Sequence, residues 1–162
     1  MAGLDDIAVS AFHEQMQNVS PADQIFSRPD QTLLLTRGVM RLFIDLGLSP
    51  LTEFKLASGR RADVAGLDRR GHLIIAEVKS CRADFEADQK WPDYRDYCDQ
   101  FYFAVDPAFP KGLLPETEGL IFADAYGATI NRPAETRPLA PARRKAVTLR
   151  FARQAALRAT SV

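Results

Sequence analysis

Residues 72–79 read HLIIAEVK. Leu73 and Ile75 lie on one side of this extended run, and Ile74, Ala76 and Val78 on the other. A strand that is apolar on both sides is expected to be buried on both, inside a sheet with packed layers above and below. The run then ends in Glu77 and Lys79, which share the side of Leu73 and Ile75. Two charges at the end of a doubly covered strand sit in a partly desolvated niche, and that placement needs a physical reason.

The flanking sequence supplies the other layers. Leu35, Val39, Leu42, Phe43 and Leu46 recur at helical spacing from Gln31, with Asp30 as the start cap and Gly47 as the stop. Arg37 and Arg41 share the opposite face. Strands are expected at LTEFKLAS (51–58), RADVAGL (61–67) and HLIIAEVK (72–79), joined by short glycine-containing turns. Residues 82–98 are helical in composition and interrupted near Pro92. QFYFAV (100–105) is a further strand, GLIFADA and GATINRP form a hairpin, and a basic helix covers about 142–159. The order is αβββαβ followed by two strands and a helix, an α/β fold with a mixed sheet flanked by helices. Residues 1–30, with Pro21 and Pro29, read as a loose arm, and residues 31–162 as one domain.

Turn chemistry sets the pairing. Arg69-Arg70-Gly71 suits a three-residue loop with Gly71 left-handed, which places Asp63 opposite Glu77 and Arg61 opposite Lys79. Ala62, Val64 and Gly66 then fall on the apolar side with Ile74, Ala76 and Val78. If the first hairpin turns through Ser58-Gly59-Arg60, Lys55 faces Asp63 and Glu53 lies diagonally on the same side. Two carboxylates ~5 Å apart repel by about 3 kcal/mol at an effective dielectric of ~20. A proton or a cation can offset that, and Mg²⁺ or Mn²⁺ suits hard carboxylate oxygens. Lys79 is placed to orient or deprotonate a water, or to neutralise charge on a phosphate. The other reading is an ion-pair cluster, Asp63–Lys55 and Glu77–Lys79, without chemistry.

Charge distribution points to a partner. The chain has 21 acidic and 21 basic residues, yet from Thr136 onward there are seven Arg or Lys and no Asp or Glu. A basic end suits nucleic acid, or is a solvated helix face. Arg143, Arg144, Lys145, Arg150 and Arg153 are positioned to grip phosphates, while Val147, Phe151 and Ala155 dock the helix. Lys90 and Tyr94, four apart, are expected at the mouth of the site, or else as an exposed Lys beside a half-buried Tyr. Asp84, Asp88, Asp93 and Asp96 are expected to face water, and Trp91 to anchor the core.

Other chemistries lack parts. The two histidines, His13 and His72, do not support a Ser-His-Asp or zinc-histidine site, and no GxxxxGK[ST] or GxGxxG is present. Cys81 and Cys98 form no CxxC pair and suit a reducing cytoplasm. The opening MAGLDDIAVS lacks a signal-type run, and no stretch approaches a membrane span.

Asp63, followed by Glu77-Val78-Lys79 on the next strand of an αβββαβ order, resembles the PD-(D/E)XK nuclease superfamily. The run EVKSCRADFEADQKWPDYRDYCDQFYFAV is similar to the MmcB-like DNA-repair endonucleases of bacteria, and the likeness covers roughly residues 31–130. It implies a restriction-endonuclease-like core and a Mg²⁺-dependent (or Mn²⁺-dependent) DNA endonuclease acting in repair. The small domain shows no obvious base-reading module, so selectivity for DNA structure or damage is expected over sequence specificity. Asp63 and Glu77 would be metal ligands with the Val78 carbonyl, Glu53 an accessory acid, and Lys79 the catalytic lysine. Arg61 joins Lys90, Tyr94, Arg143, Arg144 and Lys145 as expected nucleic-acid contacts. Ala62 stands where the superfamily motif has proline. The expected partners are DNA and other repair proteins, in the cytoplasm at the nucleoid. The alternative is a non-cleaving module of the same fold that binds DNA or a repair partner.

Overall fold

The computed structural model describes residues 27–160. Up to residue 26, the arm expected at 1–30 lies outside the described residues. The remainder of it is helical: α1 spans Arg28–Asp45, capped by the Ser27 side chain, with Pro29 in its first turn. The expected start at Gln31 with an Asp30 cap is therefore three residues late. Pro29 needs no N–H donor in the first turn and its φ is already helical, so it opens the helix instead of barring it. Leu35, Val39 and Phe43 are buried as expected, whereas Leu46 is exposed. Gly47 closes the helix at φ 77°.

Six strands form one sheet in chain order: β1 Ser49–Lys55, β2 Arg61–Leu67, β3 Leu73–Lys79, β4 Gln100–Val105, β5 Gly119–Ala123 and β6 Ala128–Arg132. The β1–β2, β2–β3 and β5–β6 pairs are antiparallel, and β3–β4 and β4–β5 are parallel. The chain between β3 and β4 makes the crossover as a short helix, α2 (Arg82–Ala87), and a 3₁₀ helix (Trp91–Tyr97) with Pro92 in its first turn. A last helix, α3, spans Pro141–Ala159. This is the mixed, helix-flanked α/β sheet the sequence predicts.

The β2–β3 register is the expected one, with Val64 opposite Ala76 and Leu67 opposite Leu73 around a turn in which Gly71 has φ 82°. The β1–β2 register is not. Lys55 pairs with Arg61 and Phe54 with Ala62, two residues away from the expectation. Leu56 N–H donates to Arg60 O, so the loop is Ala57-Ser58-Gly59 and Gly59 is its third residue, at φ 84°. The left-handed residue of a three-residue loop comes last, as Gly71 does in the next hairpin. A second departure follows. Glu53, between Thr52 and Phe54 on β1, has φ 50°, a conformation L-residues avoid. Strand alternation breaks there: Leu51 and Phe54 both join one core, and opposite them Ala62 and Ala65 join it too, while Val64 faces the other. Ala62 is thus on the other side of the sheet from the one expected.

Both faces of β3 are covered. One core packs α1 on the sheet through Leu35, Val39 and Phe43 against Val64, Ala76, Val78, Ala104 and Ile121. The other packs the 3₁₀ helix and α3 through Tyr94, Val147 and Phe151 against Ile75, Phe101 and Phe103. Asp99, 2% exposed, locks the second layer in place. Its carboxylate accepts from Leu73 N–H (2.8 Å), Leu139 N–H (3.0 Å) and both terminal nitrogens of Arg144 (2.5 and 2.9 Å). Arg144 also donates to Gly71 O at 2.6 Å. The expectation that Arg144 grips phosphate is corrected: its fork is filled by a buried acid that joins β3, the chain before α3, and α3 itself.

Gly38 lets α1 lie against the β5–β6 turn, because a Cβ there would overlap the carbonyl oxygens of Asp124 and Gly127. Gly38→Ala is expected to cost about 1–3 kcal/mol, a fall in Tm of several degrees. Gly112→Ala, with open space around it, should leave Tm nearly unchanged. Thermal melts of the two variants check this, and equal Tm values would contradict the close packing of α1.

Candidate active site

The β2–β3 backbone ladder stops at Val64–Ala76, and side chains take over from it. Asp63 Oδ2 accepts from Val78 N–H at 2.8 Å, and Glu77 Oε2 accepts from Asp63 N–H at 3.5 Å. The two acids therefore converge across neighbouring strands, as the register predicts. Val78 is the residue whose main chain one of them holds. Tyr94 O–H donates to Arg61 O at 2.9 Å and lies 3.5 Å from Glu77 Oε1. Lys79 Nζ is 3.6 Å from Glu77 Oε1 and 2.6 Å from Asp88 Oδ2. Glu77 and Lys79 are 6% and 4% exposed.

Burial decides the protonation states. It pushes Glu77 up to about 8, helped by the charge of Asp63 and opposed by Lys79. It pushes Asp63 up to about 6, opposed by the Val78 N–H and Lys79. Two such acids share protons near neutrality instead of carrying two full charges. Burial alone would pull Lys79 down. The Asp88 hydrogen bond and the charges of Glu77, Asp88 and Asp84 outweigh it and leave Lys79 above its ordinary value. Lys79 is thus a held cation, suited to stabilising negative charge rather than to taking a proton from water. Burial and the charges of Glu77 and Asp63 raise Tyr94, so its hydroxyl stays a donor.

Two acids expected to face water belong to the site. Asp84 accepts from Ser80 N–H at 3.1 Å, and Asp88 holds Lys79. A lysine on a buried strand needs a counter-ion, and the α2 segment that follows returns Asp84 and Asp88 to it. Of the other two, Asp93 is exposed and paired with Arg60 at 3.0 Å, and Asp96 is exposed. Glu53 does not enter the carboxylate pair. Its half-exposed side chain binds Arg61, and its charge acts on Asp63 only from a distance. Arg61 is in turn occupied by Glu53 and, beyond Val64, is not paired with Lys79. Tyr94 lies buried beside Glu77 rather than at an open mouth, and Lys90 is exposed beside Asp88. Trp91 packs on Phe101 and Phe103, as expected of a core anchor.

Among the described residues, no three His, Cys, Asp or Glu side chains form a metal-ligand group. The donor set that is present still fits a hard divalent ion. Mg²⁺ keeps several waters and takes one or two carboxylates, and the converging Asp63 and Glu77 offer two with incomplete charge.

Residues 19–162 match the model of a family described as DNA repair protein MmcB-like. No curated protein matches. Among solved structures, a protein of unknown function from Silicibacter pomeroyi superposes with a TM-score of 0.75 at 44% identity, covering 83% of this chain and 90% of its own. A repair endonuclease from Pyrococcus abyssi gives a TM-score of 0.39 at 21% identity, over 63% of this chain and 48% of its own, too partial a likeness to argue from.

The raised Glu77 has a consequence for stability. The folded chain keeps this proton after the unfolded chain has lost it, so stability falls as pH rises from about 4.5 towards about 8. Glu77→Gln removes that loss. Its Tm should exceed the parent's at pH 8, by on the order of 2 kcal/mol of stability, and the gain should shrink near pH 5. Thermal melts at the two pH values decide it, and a gain independent of pH would contradict the shift.

Proposed function

Because the chain belongs to the MmcB-like family of DNA repair proteins, we propose that it is a metal-dependent DNA endonuclease that hydrolyses phosphodiester bonds during repair. The observation that carries this reading is the buried convergence of Asp63 and Glu77 with the Lys79 cation 3.6 Å from Glu77. Asp63 and Glu77, with the Val78 carbonyl, would hold Mg²⁺ or Mn²⁺, which supplies charge stabilisation at the scissile phosphate. Lys79 offsets negative charge that develops on the phosphate oxygens. Asp88 positions Lys79 through their 2.6 Å hydrogen bond, and Tyr94 lies against Glu77. A DNA-repair role supports the cytoplasm, at the nucleoid, as the place of action. No helix among the described residues is long and apolar enough to cross a membrane. The described residues form one sheet with its flanking helices and no separate base-reading module, which favours selection by DNA structure or damage over sequence.

The purified protein should cut at least one of nicked, flapped, branched or plain duplex DNA in Mg²⁺ or Mn²⁺. Asp63→Ala, Glu77→Ala and Lys79→Ala should each slow cleavage by roughly 10²–10³-fold or more. Asp88→Ala, which frees the lysine without removing it, should cost about tenfold. Cleavage that survives in both acid variants would overturn the reading. Tight DNA binding without cleavage in either metal would favour the non-cleaving module instead.

A further inference from the structure

The basic residues of α3 divide into those bonded to other elements of the fold and those outside the ion pairs of the described residues. Arg144 is spent on Asp99, and Arg158 donates to the carbonyls of Thr52 and Glu53. The ion pairs among the described residues leave out Arg143, Lys145, Arg150 and Arg153. Arg143 and Arg150 are seven apart, two turns of one flank, about 10 Å along the axis. Between them, α3 and the β1–β2 turn enclose a hollow of about 360 Å³.

Its floor is apolar, with Leu56, Ala57 and Val147, and its rim carries Arg143 and Arg150, with no acidic residue among the described residues of the lining. The Arg143 guanidinium lies over the Tyr97 ring, 4.8 Å from its centroid. That contact anchors the guanidinium on the ring beside the hollow and leaves its N–H donors for a phosphate. An apolar floor with two arginines at the rim that no ion pair among the described residues occupies matches the flat face of a base joined to a phosphate. A free anion would not need the floor, and an apolar peptide would not need the cations.

The same helix also reaches the strand beside the carboxylates. Below the hollow along α3, Gln154 bonds both main-chain groups of Lys55, and Arg158 reaches Glu53, the residue opposite Asp63. Arg150 to Arg158 is roughly 12 Å of helix, about three stacked nucleotides at 3.4 Å each.

We propose that the hollow between α3 and the β1–β2 turn seats an unpaired nucleotide of the DNA strand, its base on Leu56, Ala57 and Val147 and its phosphate between Arg143 and Arg150. This deepens the nuclease reading and rests on it for the identity of the strand. The substrate class it names is duplex DNA carrying a single-stranded tail of about three nucleotides or more beside the cut.

The test is equilibrium binding without divalent metal, by fluorescence anisotropy, so that it does not depend on cleavage. The probes are a blunt duplex, the same duplex with a short thymidine tail, and thymidine monophosphate alone. The tailed duplex should bind about tenfold tighter than the blunt one. The Arg143→Ala/Arg150→Ala variant should lower the slope of log affinity against log salt by roughly 1.4 for the tailed probe. Ala146→Trp, which fills the hollow from an exposed helix position and keeps both charges, should abolish the preference for the tail while leaving blunt-duplex binding in place. Equal affinity for tailed and blunt probes would overturn the proposal, as would a preference untouched by Ala146→Trp. Monophosphate binding as tight as that of the tailed duplex would also overturn it, because the site would then take free nucleotides. If the tail preference fails while cleavage persists, only this inference falls. If cleavage is absent while the preference holds, only the nuclease reading falls.

Discussion

Covering β3 on both faces is the constraint from which the rest of the site follows. With α1 on one side and the 3₁₀ helix and α3 on the other, the last residues of the strand leave water together with their charges. A lone buried carboxylate or ammonium would cost several kcal/mol, so each must be answered by another group. Lys79 is answered by Asp88 and Glu77. Glu77 is answered only in part, because Asp63 adds a second acid where one is already costly. The fold thus tolerates an arrangement that packing alone would avoid, which is the pattern of a functional site.

The local backbone serves the same end. The ladder between β2 and β3 gives way to the Asp63–Val78 hydrogen bond at the point where the acids meet. Opposite Asp63, Glu53 takes a left-handed conformation, and Arg158 from α3 holds its carbonyl. That contact joins the basic helix to the strand edge beside the carboxylates. Asp99 and Arg144 hold the other end of the helix to the start of β3. The helix that carries the unspent arginines is therefore fixed at both ends relative to the acidic pair. This gives the proposed strand path a rigid frame.

Much of this was legible in the sequence because it depends on local rules. The doubly apolar run predicted a central strand, and Gly71 as the third residue of its turn predicted the facing of Asp63 and Glu77. The same rule applied to Gly59 yields the observed β1–β2 register, whereas a loop with that glycine second gives a register two residues away. The break at Glu53 had no signal, since glutamate is not a residue that marks positive φ. What each charge is spent on was also hidden. Asp88 and Arg144 read as surface residues because their partners, Lys79 and Asp99, are brought to them by the crossover and the docking of α3. Tertiary placement, not spacing, separates an arginine bound to a buried acid, such as Arg144, from one that only rests on a ring, such as Arg143.

The central claim is that Asp63 and Glu77 together take a divalent cation in exchange for a proton. Titration calorimetry with Mn²⁺ near pH 7, in two buffers of different ionisation enthalpy, measures both events at once. The account predicts saturable binding of a single ion with release of about one proton, because Glu77 is protonated before the ion arrives, and loss of both in Glu77→Gln. Absence of binding, or binding that releases no proton and survives Glu77→Gln, would contradict it.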